Sequence, residues 1–464
     1  MENENIITVS AEDNIPDAKA LEDMLRTKNY HAFRAVSEEI PAVDIAEIMS
    51  EISDEYRTVF FRLLSKEKAS EVFVEMDSEH TEDMINSFTD KELSEILKEL
   101  YVDDTVDIIE EMPASVVKRI IRNSDKETRE AINQILRYDK DTAGSLMTTE
   151  DVRLRPDMTV GEAIAHLRRV AIDKETIYTA YVTDNERHLI AVVTAKQLLI
   201  SPYETSIRDI MEENVIFVRT TDDKEEASGK FTKYGFIALP VVDLEDRLVG
   251  IITVDDAMDV IVEEATDDIA RIAAIVPTEE SYLKASPFAL FKSRIVWLLF
   301  LMISASLSSA ILNFFEAALP AVLILFVPML MGTGGNSGAQ ASAMVIRGIS
   351  VGEIKASDIK RVIFKELIVG VTTGLALGVF AFLKVFFVDR LITGNAEITL
   401  FVALATAAAM ALTILLAKLI GAALPILAKL VGLDPAVMAS PLITTIIDAL
   451  SLVLYFVMAN AILP

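Results

Sequence analysis

Asp448 is an acid placed where acids are costly. It lies in Val437–Leu463, a long stretch otherwise nearly free of charge. A carboxylate at the centre of a membrane-spanning helix costs about 2.5–3.5 kcal/mol unless it faces a polar cavity or a partner, so it marks a functional site. Ser440, Thr444, Asp448 and Ser451 follow one another at steps of four, four and three residues, which sets three hydroxyls and one carboxylate on a single helical face. Oxygen ligands around one acid suit a hard cation. Mg2+ keeps several of its waters and is usually held through one or two carboxylates, which a two-fold axis pairing two copies of Asp448 would supply. The alternative is a hydrogen-bonded acid that only joins helices, and no membrane-embedded base stands out as its partner.

A second polar stripe runs through Pro328-Met329-Leu330-Met331-Gly332-Thr333-Gly334-Gly335-Asn336-Ser337-Gly338-Ala339-Gln340. Thr333, Asn336, Ser337 and Gln340 share a helical face, and the glycines are expected to loosen the backbone between them, as is tolerated where it lines a cavity. The alternative is a small-residue helix contact. Asn336, Gln340, Ser440 and Thr444 are therefore the pore-lining candidates. Gly370, Gly374 and Gly378 recur every four residues and read as a close helix-packing face.

Five apolar stretches must position these residues: Ile295–Asn313, Ala321–Ile346, Val362–Val388, Ile398–Ile420 and Val437–Leu463. Each is long enough to cross a bilayer. Arg347, Lys355, Lys360 and Arg361 occupy the connection between the second and third. Lys284, Lys292 and Arg294 precede the first, and Lys418 and Lys429 are assigned to the segment joining the fourth and fifth. By the positive-inside rule the N-terminus is cytoplasmic and the C-terminus outside. Met1 to Asp17 is acidic without an apolar core and does not read as a signal peptide.

Charge divides the chain. Residues 284–464 hold 12 basic and 8 acidic side chains, a net +4, whereas residues 1–283 hold 31 and 63, a net −32, within a total of −28. Such an acidic half disfavours nucleic acid and anionic lipid and favours divalent cations. There is no cysteine, which excludes disulfides and thiolate chemistry. His31, His80, His166 and His188 are well separated and there is no phosphate-binding GxxxxGK[ST] loop, so the chain does not read as an enzyme.

Residues 46–124 repeat every twelve residues. Ile48/Met49/Ile52, Phe60/Phe61/Leu64, Val72/Phe73/Met76, Met84/Ile85/Phe88, Ile96/Leu97/Leu100 and Ile108/Ile109/Met112 occupy equivalent slots, and Ile120 and Ile121 continue them. That length allows one short helix and one turn per unit, and stacked units form a helical solenoid. From about Asp141 strands alternate with helices. One unit runs from Leu146-Met147 through Tyr181-Val182-Thr183-Asp184 to Ala191-Val192-Val193-Thr194. Its copy runs from Ile210-Met211 through Leu239-Pro240-Val241-Val242-Asp243 to Gly250-Ile251-Ile252-Thr253-Val254-Asp255-Asp256. The pattern resembles a tandem CBS pair, a fold that often takes adenosine nucleotides between its repeats. Its Thr-x-x-Asp motif is present as Thr253-Val254-Asp255-Asp256, and the first repeat has Thr194-Ala195-Lys196-Gln197 instead. This implies one nucleotide site or a purely structural pair.

An acidic run follows. Asp256 and Asp259 share one helical face, and Glu264, Asp267 and Asp268 share another. Carboxylates about 4 Å apart repel by roughly 1 kcal/mol in water and about 4 kcal/mol at intermediate dielectric, so such faces separate until cations neutralise them.

Together these features resemble the MgtE family of magnesium channels. The resemblance rests on Gly332-Thr333-Gly334-Gly335-Asn336-Ser337-Gly338 with Gln340, on Gly432-Leu433-Asp434-Pro435-Ala436, and on Pro441 through Asp448. It implies a multidomain chain: an all-α helical-repeat N domain (1–138), an α/β tandem CBS domain pair (139–262), a connecting plug helix (263–283) and a five-span α-helical membrane domain (284–464). It further implies a homodimeric Mg2+ channel of the cytoplasmic membrane, closed when cytosolic Mg2+ bridges acidic faces. Asp448 would be the pore acid, and Asp256, Asp259, Glu264, Asp267 and Asp268 would belong to cytosolic Mg2+ sites. Tyr178, Phe236, Pro240, Thr253 and Asp256 would receive a regulatory nucleotide such as ATP. Gly235, Ala339, Ser440 and Ser451 depart from the family pattern. The competing function is a CBS-regulated secondary transporter for another divalent cation or a small solute.

Overall fold

The computed structural model describes residues 15–171, 174–278, 282, 285–316, 320–437 and 440–464. It divides into two compact units, Met1–Ile261 and Val262–Pro464.

The first unit opens with ten helices: α1 (Ala18–Arg26), α2 (Tyr30–Glu39), α3 (Ala42–Glu51), α4 (Asp54–Leu63), α5 (Lys66–Val74), α6 (Ser78–Ser87), α7 (Asp90–Ile96), α8 (Val102–Glu111), α9 (Ala114–Asn123) and α10 (Lys126–Ile135). From α3 onward each helix starts twelve residues after the last, as the repeat predicts. Ser65, Asp77, Thr89 and Asp125 occupy equivalent N-cap positions and accept from Lys68, His80, Glu92 and Thr128 backbone N–H groups. Such caps satisfy amides that the first helical turn leaves free. Ile52, Leu64, Phe88 and Met112 end their helices in extended conformation, which stops the helix and turns an apolar side chain inward. Met49, Phe60, Phe73, Ile85 and Leu97 are buried in one apolar cluster that continues into Leu239, Val241 and Ile252.

Two matching three-stranded sheets follow. The first is β1 (Arg153–Leu154), β2 (Thr179–Thr183) and β3 (Leu189–Thr194), with helices α11 (Val160–Val170), α12 (Ala195–Ile200) and α13 (Ile207–Ile210). The second is β4 (Val218–Arg219), β5 (Ala238–Val242) and β6 (Leu248–Thr253), with α14 (Lys224–Tyr234). In each sheet the first pair is parallel and the second antiparallel, and the registers correspond: Thr179 pairs with Thr194, and Ala238 with Thr253. The sheets pack through Tyr181, Ala238, Leu248 and Ile251. Helix α15 (Val254–Ile272) leaves directly from β6, and the division between the two units falls within it.

The second unit holds α16 (Pro287–Glu316), α17 (Val327–Ser350), α18 (Ile359–Leu383), the short α19 (Arg390–Thr393), α20 (Leu400–Leu430) and α21 (Ser440–Ile462). Among the described residues five helical segments are long and apolar enough to cross a membrane, in the order the hydropathy predicts. Gly370, Gly374 and Gly378 pack α18 against α20, where added methyl groups would meet Leu415, Ala411 and Ala407.

Two expectations are corrected here. α17 is one continuous helix through its glycines, because Gly334, Gly335 and Gly338 face neighbouring helices and their lack of side chains serves close packing. Lys418 and Lys429 are not in a connecting segment: α20 continues ten residues beyond the apolar stretch that ended at Ile420 and contains both, Lys418 at only 8% exposure and Lys429 in the last turn.

Candidate ion path and acidic cluster

In the membrane half, the α17 glycines bring α20 and α21 together. A methyl on Gly335 would lie 2.6 Å from Thr444 Cγ2 and 3.6 Å from Asp448 Oδ1. A methyl on Gly334 would meet Thr413 and Ile447, and one on Gly338 would meet Ile443 and Ile447. Buried Ile443 and Ile447 thus seat α21, and this sets Thr444 and Asp448 on the adjoining face. Asp448 Oδ1 is buried with no hydrogen-bond partner among the described residues, and so are Ser337 Oγ, Ser342 Oγ and Thr413 Oγ1. Buried polar atoms are normally satisfied, so an orphaned oxygen on a membrane acid fits water or a hydrated cation.

Asn336 and Gln340 lie one turn apart on α17, both exposed on this chain, with Thr333 half-buried one turn earlier. Ser440 begins α21, but its side chain lies outside the described residues. Ser451 departs from the expected stripe: its hydroxyl donates to the Asp448 carbonyl at 2.8 Å, a bond within the helix.

In the soluble half, Asp103, Asp104 and Asp107 on α8 share a charged region with Glu75, Glu150, Glu175, Asp255, Asp256 and Asp259. Burial is the leading cause of their shifts and neighbouring carboxylates add to it. Asp104 is pushed up to about 6, Asp107 and Asp256 to about 7, and Glu175 to about 8. Asp103 is raised well above the usual range by burial and then by Asp256. Glu75 and Asp259 are raised too. Asp103 Oδ1 and Glu175 Oε2 are buried without hydrogen-bond partners among the described residues. Among the described residues no three acidic or histidine side chains converge closely enough to form a metal cage. Asp103, Asp104, Asp107, Glu75 and Glu175 escaped the sequence reading because they come from distant segments. The acidic spacing of Asp103, Asp104 and Asp107 on one face of α8 was the available signal.

Asp256 also accepts from Thr253 Oγ1 at 2.6 Å, so the Thr-x-x-Asp motif closes as a side-chain bond at the start of α15. Pro240 pairs with Ile251 inside the sheet, and Phe236 lies two residues before β5, stacked on Tyr234. Tyr178 precedes β2 in the other sheet, with its side chain 63% exposed. Thr194 instead caps α12 with Gln197 in a reciprocal pair, without a carboxylate. Gly235 ends α14 at φ +69°, a left-handed position that glycine adopts without strain, and this accounts for the missing acid.

The remaining acids of α15 have other neighbours. Asp267 is 3.3 Å from Arg271, and Asp268 accepts from Ser350 Oγ at 2.8 Å. Glu264 is half-buried on the same helix.

Comparison with known proteins agrees with this organisation. Residues 327–458 match the MgtE divalent cation transporter model, residues 40–141 the MgtE intracellular N domain, and residues 143–202 and 207–263 the CBS domain. The chain is 37% identical over 452 residues to the magnesium transporter MgtE of Thermus thermophilus, covering 96% of this chain and 98% of that one. It is 29% identical to the Bacillus subtilis magnesium transporter MgtE, covering 94% and 95%. Its soluble half is similar to the crystal structure of the cytosolic domain of the Mg2+ channel MgtE in complex with ATP, at 39% identity and TM-score 0.50, covering 52% of this chain and 99% of that one. With five apolar helices, the last four in the matched transporter region, a helical N domain and a CBS pair, this chain belongs to the MgtE family of magnesium transporters, which are membrane transport proteins and not enzymes.

Proposed function

We propose that the chain is a homodimeric Mg2+ channel of the cytoplasmic membrane, closed from the cytosolic side by the ion it conducts. The observation that carries this reading is Asp448: a membrane carboxylate with one buried oxygen that has no partner among the described residues, beside the glycine face of α17. Two copies of Asp448 about a two-fold axis would hold a hydrated divalent cation, with Asn336, Gln340, Ser440 and Thr444 contacting its waters. Lys355 between α17 and α18, with Arg347 in the last turn of α17 and Lys360 and Arg361 in the first turn of α18, favours a cytoplasmic N-terminus and an external C-terminus.

Residues 1–138, 139–262 and 263–283 act as N domain, CBS pair and plug helix on a pore domain of residues 284–464. Mg2+ shared among α8, the CBS pair and Asp256, Asp259, Glu264, Asp267 and Asp268 of α15 offsets the repulsion that otherwise separates them. An adenine nucleotide at Tyr178, Phe236, Pro240, Thr253 and Asp256 modulates this. The similar cytosolic domain in complex with ATP supports that assignment.

Asp448→Asn tests the pore. Purified, membrane-inserted variant should assemble normally and lose Mg2+ flux by roughly a hundredfold or more, as expected when a membrane-embedded ion-path acid is neutralised. Normal flux would refute the assignment. Wild-type flux without unitary currents would favour the secondary transporter.

A further inference from the structure

We propose that Lys418 is a specificity-determining residue of the ion path: a fixed positive charge that offsets Asp448 and keeps a conducted divalent cation weakly enough bound to leave. The proposal rests on the channel reading above. Lys418 is buried in α20 at 8% exposure, among the apolar residues of a membrane helix. It lies twelve residues before the helix end at Leu430, about 18 Å along the axis. Its ammonium is 3.4 Å from Gln340 Oε1, and it forms no ion pair with a carboxylate among the described residues. A buried charge with one neutral partner is costly and marks function.

Its position is tied to the pore helix by backbone geometry. A methyl on Gly421 would stand 2.3 Å from the Gly338 carbonyl oxygen, and one on Gly338 would lie 3.3 Å from the Ala417 carbonyl oxygen. α17 and α20 therefore touch at the turn that carries Lys418. Gln340 sits between this ammonium and the exposed polar ridge of α17. Conduction requires binding strong enough to admit the ion and weak enough to release it. A membrane carboxylate with no counter-charge would trap a divalent cation, and a lysine at one remove from the path weakens that hold without touching the ion.

Purified channels in planar bilayers distinguish this charge role from a helix tie. Lys418→Met removes charge and donor, Lys418→Gln removes charge but keeps a donor, and Lys418→Arg keeps both. In the Met and Gln variants the half-saturating Mg2+ concentration should fall on the order of tenfold and the maximal unitary current should drop. Because Coulomb energy scales with ion charge, Na+ affinity should change only about threefold. Lys418→Arg should stay near wild type. Unchanged Mg2+ saturation in assembled Met or Gln channels, or equal shifts for Mg2+ and Na+, overturns the proposal. Failure of both neutral variants to assemble overturns it too, because the residue is then a structural tie. Asp448→Asn recorded in parallel separates the two readings: conduction intact in that variant refutes the pore itself, whereas conduction lost there with Lys418→Met unchanged refutes only the role of Lys418.

Discussion

Arg271, in the last turn of α15, donates to Asp434, which lies 163 residues away in the segment leading into α21, and also reaches Asp267 one turn back at 3.3 Å. One guanidinium thus holds two acids together at the end of the acidic helix. Arg271→Met leaves Asp267 and Asp434 facing each other. The pairs are partly exposed, so their loss is worth about 1 kcal/mol or less, equivalent to roughly fivefold or less in an equilibrium constant. The cytosolic Mg2+ needed to half-inhibit flux should rise by about that factor. Arg271→Met combined with Asp434→Asn should return it towards wild type. Concentration–inhibition curves on inside-out membranes test this, and an unchanged curve in the single variant would count against a latch.

The acidic cluster predicts a pH dependence with a definite sign. Asp104, Asp107, Asp256 and Glu175 titrate higher in the packed unit than in a separated chain, so the packed form binds more protons. The resulting destabilisation is fully present above about pH 8, is relieved as pH falls through about 8 to 6, and is absent below the ordinary carboxylate range. In full-length protein without divalent cations, protease resistance of the region before Ile261 should increase from pH 8 to pH 5.5. Mg2+ should raise it strongly at pH 8 and little at pH 5.5. Resistance that falls on acidification would contradict the electrostatic account.

Two glycines should respond in opposite ways. A side chain at Gly421 would collide with the Gly338 backbone, which cannot rotate away, so Gly421→Leu should destabilise the membrane half by about 3 kcal/mol or more and lower the yield of folded protein. Gly229 sits in the exposed interior of α14 with nothing within 4 Å of an added methyl, so Gly229→Ala should stabilise by about 0.5–1 kcal/mol. Thermal unfolding in detergent reads both, and a tolerated Gly421→Leu would show that the α17–α20 contact can separate.

The twelve-residue period, the matching sheet units, the five apolar helices and the isolated Asp448 were all legible in the sequence. Each is a local pattern: a cap, a helical face or a run of apolar residues specifies its element through near neighbours. The α17 glycines were visible as a motif, but their purpose was not. They read as a loosened helix and proved to be a contact surface, because the backbones they admit belong to α20 and α21.

Tertiary structure alone decided which charges meet. Asp103 stands in an acidic field with Glu175 and Asp256, Arg271 reaches Asp434, and Lys418 turns inward to Gln340. Nothing local specifies such pairs, since each joins segments brought together by burying other, apolar residues. Asp448 follows the same division: its cost in an apolar helix is written in the sequence, whereas its orphaned oxygen and the glycine face beside it exist only once α17, α20 and α21 have packed.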